Sequence, residues 1–231
     1  MKKQALVAAF SLVAPMILGS TGVFATSLTE SNTDVNAKFT VPDTNTNNPT
    51  PNNPSTGTGN DNNTNVPLDP DGNFALAYVP YGLDFGTIQL NNNGPMTQNL
   101  ALQDGQTLNV GVKDTLHNTE GWTLSAQFSG ALADEGVTIG TTTSKAQVYN
   151  ESNSLVDLSD NGMITVTPNA TINSQQKVLM QGNQGHNFSG TYDMNLGDVS
   201  LQIPDASKVS QGQTSGTITW SLTKAPQAPQ G

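Results

Sequence analysis

Between residues 74 and 222 the chain is cut into short runs of alternating apolar and polar residues, each bounded by Gly, Asn, Asp or Pro. No other feature limits its fold so sharply. A period of two belongs to an extended strand with one buried face, and no run carries the pattern of a three-turn amphipathic helix. Candidate strands fall at 74–79, 83–90, 97–102, 107–112, 121–128, 137–139, 145–149, 163–167, 177–181, 191–196, 199–203 and 216–222. The alternation is cleanest in Leu108-Asn109-Val110-Gly111-Val112 and Val199-Ser200-Leu201-Gln202-Ile203. That is the pattern of half-buried antiparallel strands, not of a parallel sheet covered on both faces. Such spacing predicts an all-β domain over residues 71–226, an antiparallel β-sandwich or distorted barrel with long loops, followed by a tail at 227–231. Asn93-Gly94 and Asn161-Gly162 sit between candidate strands and predict hairpin turns, whose central residues need positive φ.

Two segments of other kinds precede this domain. Met1-Lys2-Lys3, the apolar run from Ala5 to about Leu18 and the small residues up to Ala25 read as a secretory signal peptide over residues 1–25. A spanning helix is the alternative, but Pro15 breaks the run, which falls short of the roughly 20 residues a span requires. Residues 26–70 are dominated by Asn, Thr, Pro, Gly and Asp and have little to bury, which predicts a disordered, partly extended linker. Without the signal, six of the eight lysines face all 18 carboxylates, a net charge of −12. That charge argues against nucleic acid, whose affinity is built from Lys and Arg on phosphates, and against anionic lipid once the signal is cleaved. It suits a neutral glycan or peptide, or an anionic one bridged by divalent ions. An exported chain without cysteine has no disulfide staples, so the domain must bury a core of its own.

Elimination leaves little chemistry. His117 and His186 lie among Asn, Thr and Gly, and neither belongs to a His-x-x-x-His or nucleophile-elbow pattern. Asp134-Glu135 reads as a polar loop, and no carboxylate pair is marked out for glycan cleavage. Asp157, Ser159, Asn161 and Gly162 occupy the first, third, fifth and sixth positions of an EF-hand-like loop, yet Pro168 stands at the twelfth, where a bidentate Glu is required. Asp69-Pro70-Asp71-Gly72-Asn73 fails the same template, with its glycine at the fourth position. No catalytic residue, cofactor or metal ligand is assigned.

Two stretches stand apart: Gly121-Trp122-Thr123-Leu124-Ser125-Ala126-Gln127-Phe128 and Gly216-Thr217-Ile218-Thr219-Trp220-Ser221-Leu222. They hold the only two tryptophans, each followed two places on by leucine. Alternation sets Trp122, Leu124, Ala126 and Phe128 on one face, and Ile218, Trp220 and Leu222 on one face of theirs. With the Asn/Pro/Thr-rich lead-in and Leu83-Asp84-Phe85-Gly86, they resemble the WxL-domain cell-surface proteins of Gram-positive bacteria over roughly residues 66–226. One departure is visible. Relatives often carry Asp-x-Arg before the first motif, whereas this chain reads Asp114-Thr115-Leu116-His117 and contains no arginine.

The resemblance implies an extracellular, wall-associated, non-enzymatic protein that binds peptidoglycan of the cell wall non-covalently, with Trp122, Leu124, Trp220 and Leu222 as ligand-binding residues. Two physical readings of the indoles stand side by side. They belong to the core, or they stack on sugar rings while Thr123, Ser125, Thr219 and Ser221 bond the polar rim, with Tyr149 or Tyr192 as further contacts. Alternatives are a protein-interaction module that docks on a wall-anchored partner by strand addition or an aromatic patch, a host matrix or glycan adhesin, and a glycan-cleaving enzyme. The binding reading requires the two tryptophan strands to be neighbours in space.

Overall fold

Alternation becomes sheet wherever a run can find a partner with which to bury its apolar face. The computed structural model describes residues 33–41, 48–57, 61–143, 145–186 and 188–224; the signal peptide expected at 1–25 and the tail at 227–231 lie outside them. Two compact units divide the chain, Met1–Phe39 and Thr40–Gly231. In the first, the described residues 33–39 are exposed and carry neither strand nor helix.

The second unit holds the strands: β1 (Asn65–Pro67), β2 (Phe74–Pro80), β3 (Met96–Asn99), β4 (Asn109–Asp114), β5 (Trp122–Ser129), β6 (Thr138–Thr141), β7 (Ala146–Tyr149), β8 (Leu155–Asp157), β9 (Ile164–Val166), β10 (Thr171–Ile172), β11 (Lys177–Gly182), β12 (Gly190–Asn195), β13 (Val199–Ile203) and β14 (Thr217–Lys224). A single helical turn, Ala131–Asp134, and a 3-10 turn, Ala206–Lys208, interrupt them. The strands form three sheets, ordered β1-β2-β4-β12-β7-β8, β10-β6-β13-β3 and β14-β5-β11-β9. Every neighbouring pair is antiparallel. None of the sheets closes on itself, so of the two expected architectures the barrel drops out. Buried residues from all three sheets share one core, among them Val112 of β4, Leu124 of β5, Ile139 of β6 and Leu201 of β13.

Trp122 joins two of these sheets. Its ring lies 6.0 Å from that of Tyr192 on β12 and 6.2 Å from that of Phe188, while Phe188 and Tyr192 meet edge to face at 6.1 Å. Gly182, opposite Trp122 on β11, leaves room for the indole: a Cβ there would come within 2.4 Å of Nε1.

Three expectations are corrected. Residues 83–90 are not a strand. Gly86 adopts φ +67° and its N–H donates to Asp84 Oδ1 at 2.9 Å, a local turn that breaks the period. Leu83, Phe85, Ile88 and Leu90 still pack against the core. The two Asn-Gly pairs do not close hairpins. The first lacks a strand before it, and the second lies between β8 and β9, which belong to different sheets. Residues 48–57 and 61–70, expected in the linker, are folded and supply β1. Hydrogen bonds to residues distant in sequence hold them, together with burial of Pro49 and Pro51. Asn65, fully buried, donates to Thr107 O at 2.9 Å and accepts from Asn109 N at 2.8 Å, and Asn53 Nδ2 donates to Asn63 O at 2.7 Å.

Candidate functional site

The two tryptophan strands lie side by side. β5 and β14 pair along their whole length, with Ile218 opposite Phe128, Trp220 opposite Ala126, Leu222 opposite Leu124 and Lys224 opposite Trp122. Directly opposite residues share a face, so Trp122, Leu124, Trp220 and Leu222 all point to the same side of one sheet. Their surroundings differ because β5 has neighbours on both sides, whereas β14 is an edge strand. Trp122 and Leu124 are wholly buried; Trp220 and Leu222 are half-buried.

The indole N–H of Trp122 is buried and makes no hydrogen bond. Asp114, at the end of β4, has its carboxyl pushed up by burial. The Leu116 N–H at 3.2 Å and the charge of Lys224 oppose that shift. Lys224 Nζ also stands 5.3 Å from the centre of the Phe74 ring, a cation–π contact. Lys224 therefore provides a cation near Asp114 in a chain that contains no arginine. Neither Lys224 nor Phe74 was marked by the sequence, since a terminal lysine after a strand reads as solvated.

The hydroxyls expected around the indoles are on the other face. Thr123 and Ser125 alternate with Trp122 and Leu124, and both are buried. Ser125 Oγ accepts from Gln176 Nε2 at 2.6 Å and donates to the Ser221 carbonyl at 3.4 Å. Tyr192 is buried, its hydroxyl pushed up to about 12 by burial, and Tyr149 donates to the Thr50 carbonyl at 3.2 Å.

On the apolar face, Trp220 and Ile218 form one wall of a groove of about 1130 Å³. Phe85 and Ile88, from the segment that failed to pair, line it too, together with Phe128 and Leu201 of the core. Of all residues lining it, Asp84 alone carries a carboxylate; the polar remainder is backbone, amide and hydroxyl, as in Asn91, Gln213 and Thr214. Aromatic and apolar walls with neutral donors and acceptors can hold an uncharged ligand by stacking and hydrogen bonding.

Among the described residues, the histidines and the remaining carboxylates lie away from the groove lining. His117 Nε2 and Ser189 Oγ are 3.0 Å apart, and His186 Nδ1 lies 2.9 Å from Asp160 Oδ2. Asp157, the first residue of the EF-hand-like stretch, is taken by Lys145 Nζ at 2.5 Å, which holds its carboxyl below the usual range. Among the described residues no cluster of three or more His, Asp or Glu could hold a metal ion, and no helix is long and apolar enough to cross a membrane.

Comparison with known proteins gives one match: residues 26–226 fit the family model described as WxL domain surface cell wall-binding. No curated protein and no solved structure matches.

Proposed function

The chain belongs to the WxL family of surface cell-wall-binding domains, and from that membership we propose that it is exported through residues 1–25 and held on a Gram-positive cell by direct, non-covalent contact with peptidoglycan. The split between the two indoles carries this reading: Trp220, half-buried on an edge strand, offers a ring face beside a nearly uncharged groove, while Trp122 is wholly buried. Trp220 and Leu222 are the contact residues. Trp122 and Leu124 act through the fold, fixing the strand on which the contacts sit. A neutral groove on a chain of net charge −10 suits glycan strands and uncharged peptide better than phosphate-rich polymers. The protein binds its ligand and does not cleave it.

Co-sedimentation with purified, protein-free sacculi tests this. Wild-type protein should be retained across a salt series and in chelator, without release of soluble sugar fragments. Trp220→Ala, shown to be folded by circular dichroism, should bind at least about tenfold more weakly, as for loss of an aromatic anchor. Full retention by the folded variant would remove the indole from the contact.

A second reading is favoured by the open edge of β14. A partner protein anchored in the wall could add a strand there, making wall retention indirect. It predicts no binding to stripped sacculi and capture by unstripped wall.

A further inference from the structure

Away from the groove, residues 48–57 form a strap over the outer face of the six-stranded sheet. Tyr149 reaches the strap at Thr50. Near its start, Lys113 of β4 is wholly buried, and its Nζ donates to Asn48 Oδ1 at 2.9 Å and to the Pro70 carbonyl at 3.0 Å. Asn48 Nδ2 donates to the same Pro70 carbonyl at 3.3 Å. Amine and carboxamide are thus pinned together by a shared acceptor, and the carboxamide carbon lies one bond beyond the oxygen that Nζ already touches. Burial pulls the Lys113 ammonium below its usual range, against the charge of Asp71, the residue that follows Pro70. A primary amine with access to its neutral form, held against an amide carbon and beside a carboxylate, is a nucleophile with a proton carrier.

We propose that Lys113 and Asn48 join in an intramolecular isopeptide bond, made by the chain itself, that fastens the strap to β4. In the step, Lys113 Nζ gives up a proton toward Asp71 and attacks Asn48 Cγ. The tetrahedral adduct collapses with cleavage of the Cγ–Nδ2 bond, and the departing nitrogen takes the proton and leaves as ammonia. One C–N bond forms, one breaks, and nothing is oxidised or reduced. The bond would give this cysteine-free chain a covalent closure between positions 65 residues apart.

Tryptic digestion of the denatured full chain tests the bond. Trypsin does not cut after an amidated lysine, and Lys38, Lys113 and Lys145 are successive lysines in a chain without arginine. The proposal predicts one fragment, 39–145, lighter than its sequence by the mass of ammonia, about 17 Da, with the uncleaved share reading the extent of reaction. Asn48→Ala should restore fragments 39–113 and 114–145 at their sequence masses. Lys113→Arg, which keeps the charge and donors, should show no mass loss. Asp71→Asn should leave the fold intact and the bond largely unformed; a normal yield would overturn the part given to Asp71. Complete cleavage after Lys113 in the wild-type chain, with both fragments at sequence mass, would overturn the proposal.

Discussion

Trp122 and Trp220 begin the same tripeptide pattern, lie on paired strands and face the same way, yet one is wholly buried and the other is not. Strand position makes the difference. β5 is flanked by β14 and β11, and its indole meets Phe188 and Tyr192 across the core; β14 has a neighbour on one side only. A motif defined by two similar tripeptides thus divides into a structural half and an accessible half.

Truncation separates the halves most strongly. Trp122→Ala should cost about 3 to 5 kcal/mol, as for other buried large aromatics, measured by urea unfolding. A cost near that of an exposed site would break the comparison. Next in size is Gly182→Ala: its Cβ would press on the Trp122 indole at 2.4 Å, and overpacking of this kind costs about 1 to 3 kcal/mol.

A pH series sharpens the contrast at the Trp122 end. Burial raises the folded-state pKa of Asp114 above its ordinary 3.8, so the native state holds this proton more tightly than the unfolded chain. Its contribution to stability is fully present below 3.8 and is lost as pH rises through the folded-state value. Asp114→Asn should flatten that part of the stability profile, measured by denaturant titration at several pH values. An unchanged profile would show that Asp114 is not the group responsible. The smallest effect on stability belongs to Trp220→Ala, about 1 kcal/mol or less because the ring is only half-buried, although the same change should have the largest effect on sacculus binding.

Alternation carried the reading of the fold, and it worked where apolar side chains decide the structure. Leu108, Val110 and Val112 are all buried, and Val199, Leu201 and Ile203 likewise. It failed where polar contacts decide. Asn65, Asn53 and Asn48 look like linker residues because their hydrogen-bond partners, such as Thr107, Asn63 and Lys113, are distant in sequence or hidden by an equally polar neighbourhood. Residues 83–90 failed for the opposite reason: the apolar spacing was present, but Gly86 turned the chain before a ladder could form. At the site, the binding reading required the two tryptophan strands to be neighbours in space, and β5 and β14 are paired. Their unequal exposure was not legible, since edge or centre is a property of sheet order. Lys224 was illegible because its partners, Phe74 and Asp114, come from other strands.

The pairing of β5 with β14 also sets a timetable. Ser125 and Ser221, which touch across it, are 96 positions apart, and ladders that span such distances form slowly because the chain must first close a long loop. Until Leu222 has arrived, Leu124 has Met180 of β11 on one side and lacks its cross-strand partner on the other. The sheet that carries both tryptophans is therefore complete only after the last strand of the chain has been made and has found its place beside β5.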